Sequence, residues 1–263
     1  MARTYHLSSC LCFKDSASYL QEWLAYYTCL GVEHFYLYNN DSSDDFMPPL
    51  RPYLAAGRAT LLNFPGRAQQ QAMYEHCVAT YGGTTRWLMF CDDDEFLMPT
   101  QDISLPAALE PYERFAGVAV CWMLYGSSGH LTRPPGLVVE NYIRRFAVPD
   151  QHIKCVIDPS KILRPQLVGH QFECVAGQVV VTDEFEPVTG PFHHKPSASN
   201  LRINHYLTKS REEMVQRRSK RTVNTGEVSS LPIDEWLKLE AGWNHLEDRL
   251  GQRYTARVTA ALL

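Results

Sequence analysis

No apolar run in the sequence approaches the roughly 18 residues that a membrane-spanning helix needs. No Cys-x-x-Cys pair occurs among the eight cysteines, which argues against a zinc ribbon. Cys10 and Cys12, the nearest two, would face opposite sides of a strand. Most of the cysteines sit in apolar surroundings such as Phe90-Cys91 and Val120-Cys121-Trp122, where they read as small hydrophobes. There is no excess of base either. Lys and Arg total 25 against 29 Asp and Glu, a net charge of −4, so a nucleic-acid role has no electrostatic support. No internal repeat and no low-complexity linker divides the chain. It opens on Met-Ala-Arg-Thr-Tyr and runs directly into fold-like sequence, so no secretory leader is expected. A soluble, reducing, cytoplasmic setting with free thiols is the expectation. An anchored enzyme without its anchor would read the same way.

What is present is a globular composition. The 263 residues are 45% apolar, enough for one large α/β domain with a real core. Strand and helix signals alternate in the first half. Tyr5–Cys12, His34–Asn39, Ala59–Phe64 and Arg86–Cys91 read as strands. Ser16–Leu30 reads as a helix, with Leu20, Trp23, Leu24 and Tyr27 on one face, Ser18-x-x-Gln21 as a cap and Gly31 as its stop. Arg67–Tyr81 reads as the next helix. This rhythm predicts a mainly parallel sheet covered on both faces. The second half is less regular. Val118–Leu124 and Leu201–Leu207 read as strands, Ser210–Lys220 and Ile233–Leu250 as helices, and several short strands fill residues 137–184. The expected organisation is a domain over residues 1–207, with a C-terminal helical segment, 208–263, packed on it. Within that segment the basic run Arg217-Arg218-Ser219-Lys220-Arg221 reads as a solvated helix face. Peripheral contact with an anionic membrane, at the inner face in a cell, is the competing reading.

The sharpest feature is Trp87-Leu88-Met89-Phe90-Cys91-Asp92-Asp93-Asp94-Glu95-Phe96-Leu97. An apolar strand delivers four carboxylates at its C-terminal end, the edge where open α/β sheets bind ligands. Strand alternation would send Asp92 and Asp94 to one side and Asp93 to the other. Like-facing carboxylates call for a cation, and oxygen ligands suit Mg²⁺ or Mn²⁺. An acidic turn closing a strand is the bland alternative. Apolar sequence resumes at once in Phe96-Leu97, which argues against a floppy tip.

Around this run lies an ordered series of motifs. Phe13-Lys14-Asp15-x-x-x-Tyr19-Leu20-x-Glu22-Trp23-Leu24-x-Tyr26 comes first, then Gly31-Val32-x-His34-Phe35-Tyr36-Leu37-Tyr38-Asn39-Asn40. Gln71-x-x-Tyr74-x-His76-Cys77, Arg86-Trp87-Leu88 and Asp92-x-Asp94-Glu95-Phe96-Leu97 follow. Tyr125-Gly126-Ser127-Ser128-Gly129-His130 and Asn204-His205-Tyr206-x-x-Lys209-Ser210-x-Glu212-Glu213 complete the series. Over roughly residues 7–221 the chain resembles glycosyltransferase family 92 and the related family-2-like enzymes. Those usually read Lys-Asn-Glu where this chain has Lys14-Asp15-Ser16.

The resemblance implies a GT-A fold, a nucleotide-sugar donor, a glycan acceptor, a divalent metal (Mn²⁺ or Mg²⁺) and inversion at the anomeric carbon. It leans toward UDP and galactose. Mapped onto this sequence, Asp92 and Asp94 are the DxD carboxylates. His205 is the candidate third metal ligand, with a core histidine as the competing reading. Asp15, Asn39 and Asp41 follow the first two strands, and with Arg67, Gln70, Gln71, Asp93 and Lys209 they are candidate donor contacts. Ordinary loop capping would also account for the first three. Ser127, Ser128, His130 and Trp122 are candidates for the acceptor side. An inverting displacement needs a base for the acceptor hydroxyl, and His170, Glu173, Asp183 and Glu184 are the candidates. A metal-dependent phosphohydrolase is the rival enzyme, although its acidic motif ordinarily ends the first strand. A sugar-nucleotide-binding module without catalysis is the rival outside enzymology.

Overall fold

The computed structural model describes residues 3–219, 225, 227–228 and 231–262. Its first half runs β1 (Tyr5–Phe13), α1 (Ala17–Cys29), β2 (His34–Asn39), α2 (Met47–Ala55), β3 (Ala59–Asn63), α3 (Gln70–Tyr81) and β4 (Thr85–Phe90). Every residue of β1 from Leu7 onward is buried, as is all of β2. That is how strands read when a parallel sheet is covered on both faces. Alternation along β4 sends Trp87 and Met89 into one apolar cluster and Leu88 and Phe90 into the other. Every cysteine but Cys29 packs with these clusters; all eight are free and six are buried.

The chain continues through β5 (Glu95–Pro99), α4 (Leu105–Leu109), β6 (Gly117–Leu124), α5 (Val138–Asn141), β7 (Arg144–Arg145), β8 (Asp150–Ile157), β9 (Ile162–Gln166), β10 (Gln171–Cys174), β11 (Val180–Thr182) and β12 (Leu201–His205). Then come α6 (Arg211–Ser219), α7 (Ile233–Gly242), β13 (Leu246–Glu247) and α8 (Thr255–Leu262). The main sheet has the order β3-β2-β1-β4-β8-β6-β12-β5, with β11 beside the start of β6. Strands β1, β2, β3 and β4 are parallel, and β8 pairs antiparallel with both β4 and β6. Strand β6 therefore points the same way as β4, and β12 follows it in parallel. The expected α/β architecture with a mainly parallel sheet is the one observed. Its consequence is that the C-terminal ends of β1, β4, β6 and β12 share one edge.

Several elements differ from their sequence reading. Helix α2 carries Pro48 and Pro49 in its first turn, where the missing N–H groups would have had no partner, so a proline-rich stretch is helical. Helix α3 starts at Gln70 rather than Arg67 because Gly66 and Ala68 take left-handed backbone, φ 115° and 53°. Ser16 makes no side-chain cap for α1 and the Ser18–Gln21 arrangement does not form; Asp44 Oδ2 instead accepts from the Ala17 N–H at 2.7 Å. The acidic run lies in the turn between β4 and β5, so Asp92, Asp93 and Asp94 do not follow strand alternation. Helix α7 stops at Gly242, and the residues after it form β13 against β7. Described residues beyond Thr208, Tyr254 and Glu240 among them, contact the sheet domain. Tyr254 stands edge-on to Tyr26 of α1 at 5.3 Å, and Glu240 of α7 accepts from Ser127.

Candidate active site

A cleft of about 760 Å³ opens at the shared C-terminal edge. Phe13, Lys14 and Asp15 border it from β1, Asp92 and Asp93 from the acidic turn, Trp122 from β6, and His205 and Lys209 from the end of β12. Lys154 from β8, His170, Arg133, and Glu212, Glu213, Arg217 and Arg218 from α6 add to the lining. The fold itself makes this convergence, since parallel strands deliver their following loops to one side.

The two outer carboxylates of the acidic turn have different partners. Asp92 is held on both oxygens. Gln70 Nε2 donates to Oδ1 at 3.0 Å, with Tyr74 Oη at 3.4 Å, and Lys154 Nζ donates to Oδ2 at 3.0 Å. Asp94 is fully buried and meets Arg217 and His205. Burial works against its ionisation, but the Arg217 guanidinium and then His205 outweigh it and hold the carboxyl well below its usual range. His205 Nε2 stands 3.4 Å from Asp94 Oδ2. Asp94 Oδ1 and both imidazole nitrogens of His205 are buried without a hydrogen-bond partner among the described residues. Buried polar atoms are ordinarily paired, so three unpartnered atoms on these two neighbouring side chains fit a missing ligand. Among the described residues no cluster of three acidic, His or Cys side chains forms a ready cation cage. A carboxylate and an imidazole would therefore hold a divalent ion only together with oxygens from a bound ligand.

Two lysines complete the electrostatics. Lys154 is 1% exposed and sits between Asp92 and Glu95, its Nζ 3.8 Å from Glu95 Oε2. Burial disfavours its charge, yet the Asp92 and Glu95 carboxylates hold its pKa above the normal value. Glu95 has the opposite fate: burial, with Asp92 and Asp94 nearby, pushes its pKa well up despite Lys154. Lys209 takes a left-handed backbone, φ 54°, and places Nζ 3.2 Å from the centroid of Tyr19. Its burial pulls its pKa down against the raising effect of Asp93 and Asp94.

His170 lines the cleft with Nδ1 2.5 Å from the Ile153 carbonyl. That contact places the ring proton on Nδ1 and leaves Nε2 as an acceptor. Burial, reinforced by the Lys154 charge, pushes its pKa down to about 4, so the imidazole is neutral at physiological pH. The other base candidates lie elsewhere. Glu173 pairs with Arg164 at 2.7 Å on the β9–β10 hairpin. Asp183 is buried and accepts from Ser197 Oγ and the Asn200 N–H, bracing the start of β12. Glu184 accepts from Ser199 Oγ at 2.6 Å.

The donor candidates divide similarly. Asp15 borders the cleft, but its Oδ1 accepts from the backbone and hydroxyl of Ser43. Asn39 bonds Asn63 and Ser42, and Asp41 accepts from Gly66 N–H, so both staple loops at the sheet edge. Arg67 is exposed outside the cleft lining. Gln71 reaches Glu75 and the Pro165 carbonyl, while its neighbour Gln70 is the one that turns to the acidic run. Asp93 and Lys209 both line the cleft.

On the expected acceptor side only Trp122 lines the cleft, ringed by His152 at 4.8 Å, His205 at 4.3 Å and His170 at 5.7 Å. Ser127 gives its N–H and hydroxyl to Glu240, and the Ser128 N–H donates to Asn244. His130 contacts the Asn141 carbonyl. These three residues join α7 and α5 to the sheet domain. Gly126 is small because Asn244 lies where its Cβ would be, at 2.6 Å.

Sequence reasoning missed Lys154 and misjudged Arg217. A lone lysine in the apolar strand Ile153-Lys154-Cys155-Val156-Ile157 was the available signal, since a lysine buried in a sheet needs a partner. The basic run was read as a solvated face; Arg217 is 44% exposed along its side chain yet turns its guanidinium to Asp94, and Arg218 lies over Trp236 at 3.5 Å. Lys220 and Arg221 lie outside the described residues.

Comparison with known proteins places this geometry in a family. The description of glycosyltransferase family 92 matches residues 6–241. A family 92 protein of Oryza sativa subsp. japonica is 28% identical over 182 residues, 66% of this chain and 31% of that protein. One of Ricinus communis is 25% identical over 259 residues, 91% of this chain and 45% of that protein. The chain thus spans less than half the length of these relatives. Among solved structures, S. aureus TarS 1–349 in complex with UDP overlaps 59% of this chain and 47% of that one, with a TM-score of 0.41 at 11% identity. Glucosyl-3-phosphoglycerate synthase from Mycobacterium tuberculosis in complex with Mg²⁺ and UDP overlaps 44% of this chain and 43% of that one, with a TM-score of 0.33 at 16% identity. With the family match extending from β1 into α7, this chain belongs to glycosyltransferase family 92.

Proposed function

We propose that the protein transfers a hexosyl group, galactose being the first choice, from a UDP-sugar to a hydroxyl of a glycan acceptor with inversion. The observation that carries this reading is the buried Asp94 carboxylate beside His205, which lines the cleft, with Asp94 Oδ1 and both imidazole nitrogens unpartnered among the described residues. Asp94 and His205 would hold Mn²⁺ or Mg²⁺. When bound, that ion supplies countercharge to the diphosphate as the sugar leaves. Asp92, fixed by Gln70 and Lys154, presents a carboxylate of set orientation to the donor. Lys209 brings a charge to the diphosphate side, at reduced solvation. His170 Nε2 takes the acceptor proton in an in-line displacement. A neutral imidazole is ready for that task without first losing a proton. Trp122 limits water and offers an apolar edge to the acceptor.

The decisive experiment is a thermal-shift screen of UDP-, GDP- and dTDP-sugars with and without Mn²⁺, followed by transfer assays over a glycan panel. The expected outcome is Mn²⁺-dependent stabilisation by UDP-sugars and transfer that Asp94→Asn abolishes. Full activity in chelator would overturn the metal requirement. Phosphate release from p-nitrophenyl phosphate without any acceptor would replace the reading by a phosphohydrolase. Donor binding without turnover on any acceptor would leave a binding module.

A further inference from the structure

Helix α6 brings a cation to the place where the proposed metal would bind. Its first turn is firmly seated. Ser210 and Glu213 form a reciprocal cap, with the Ser210 N–H and hydroxyl donating to Glu213 Oε2 at 3.0 and 2.6 Å and the Glu213 N–H returning to Ser210 Oγ. Tyr142 donates to the same carboxylate, and Met214 is fully buried. One turn later Arg217, a cleft-lining residue whose side chain is 44% exposed, sends its guanidinium inward to Asp94. Its Nη1 hydrogen-bonds Asp94 Oδ2 and also contacts the Leu207 carbonyl at 3.3 Å. The oxygen it occupies is the one that His205 Nε2 approaches at 3.4 Å.

The charge balance explains why an arginine is there. Asp92 has Lys154 as its partner, and Glu95 shares that lysine. Asp94 is fully buried, and without Arg217 it would keep only the His205 imidazole in contact and the weaker influence of Lys209. A buried carboxylate with no countercharge is strongly unfavourable. Yet a dication and a guanidinium held on one carboxylate, even on its two different oxygens, repel strongly at that separation.

We propose that Arg217 is a resident cation of the Asp94–His205 site, which neutralises Asp94 in the free protein and must withdraw for a divalent ion to bind. Loading of the ion and movement of the second turn of α6 are then a single event. The pivot is the seated first turn, and the released guanidinium becomes available for the anionic groups of the donor. The Arg218 stack on Trp236 moves with it, so α7 registers the same change. This inference rests on the reading of Asp94 and His205 as the cation's ligands.

The test is Mn²⁺ binding without nucleotide, followed by electron paramagnetic resonance of the free ion. Wild type is compared with Arg217→Gln, Arg217→Lys and Asp94→Asn. Arg164→Gln, on the β9–β10 hairpin, controls for loss of one positive charge at a distance. Arg217→Gln should tighten Mn²⁺ binding about 10-fold, equivalent to about 1.4 kcal/mol, with Arg217→Lys intermediate and Arg164→Gln unchanged. Binding by Arg217→Gln that is weaker than, or within about 2-fold of, wild type would overturn the inference. Mn²⁺ binding by Asp94→Asn equal to wild type would instead overturn the ligand assignment beneath it. Should Arg217→Gln fail to fold, wild type still decides. The Arg217 side-chain N–H resonances, assigned by their loss in Arg217→Lys, must shift on saturation with Mg²⁺. Resonances that stay in place refute the displacement.

Discussion

Replacing Lys154 by Met tests whether the acidic turn is held by its buried lysine. The side chains are similar in length, so the change removes a charge more than a volume. Lys154 Nζ lies 3.0 Å from Asp92 Oδ2 and 3.8 Å from Glu95 Oε2. At an effective dielectric constant of about 20, a pair near 4 Å is worth about 4 kcal/mol before desolvation is counted. The Asp92 contribution must be discounted, because that side chain is 29% exposed and water screens it. Glu95 is fully buried, so losing its partner costs roughly the 3–5 kcal/mol typical of a broken buried pair. Glu95 can escape part of that cost by taking up a proton. Its folded-state pKa is already raised, and removing Lys154 raises it further. A raised carboxyl favours the fold while protonated, and that contribution is lost as pH rises through its pKa. The variant should therefore lose about 3 kcal/mol in urea unfolding at the alkaline end of a pH series, and less toward the acid end, where Glu95 takes up its proton. Adding Glu95→Gln should restore about 2 kcal/mol at the alkaline end and flatten the pH dependence. A loss below about 1 kcal/mol at the alkaline end, or equal losses across the series, would refute the argument.

Glu22 is buried on α1 and accepts from the Val138 and Val139 N–H groups, yet burial pushes its pKa up to about 7. Stability should accordingly fall as pH rises from about 4.5 through 7, by up to about 3 kcal/mol. Chemical denaturation across that range should show this slope in wild type and its loss in Glu22→Gln. Gly117 begins β6 where an added Cβ would lie 2.5 Å from the Val156 carbonyl of β8. Gly117→Ala should lower stability by about 2 kcal/mol or more by prising the two strands apart, and an unchanged melting temperature would contradict that packing. His205→Ala should raise the Mn²⁺ concentration for half-maximal transfer about 10-fold, or about 1.4 kcal/mol. An unchanged metal requirement with lowered stability would make His205 a packing partner of Trp122 instead.

The parts of the fold legible in the sequence were those with an unbroken local signal. Strand β2 lies at His34–Asn39 as its aromatic-rich pattern predicts, and β1, β3, β4, β6 and α1 deviate only at their ends. Helix α2 was illegible because it carries three prolines: Pro48 and Pro49 fall in the first turn, where they cost little, but Pro52 lies inside the helix. Strand β5 was illegible because its pairing is long-range: Glu95–Pro99 is recruited antiparallel by Leu201–His205. The site divides the same way. Residues one strand end from the acidic turn were found, since parallel order alone brings Asp92, Trp122 and His205 to one edge.

The side of each loop residue was not legible. Asn39, Asp41, Ser127 and Asp183 are polar groups at strand ends or in loops, and from sequence they could serve either a ligand or a neighbouring backbone. The structure gives each a protein partner, because loops that turn away from the cleft must satisfy their own N–H and C=O groups. Lys154 and Arg217 show the converse. One lies in an apolar strand and the other on a basic helix, where composition argues for packing or solvent. Both turn toward the acidic turn because it gathers more carboxylates than a folded protein can leave unpaired. Counting charge at the strand end, and asking which cations must come from elsewhere to meet it, would have exposed both residues before any coordinates did.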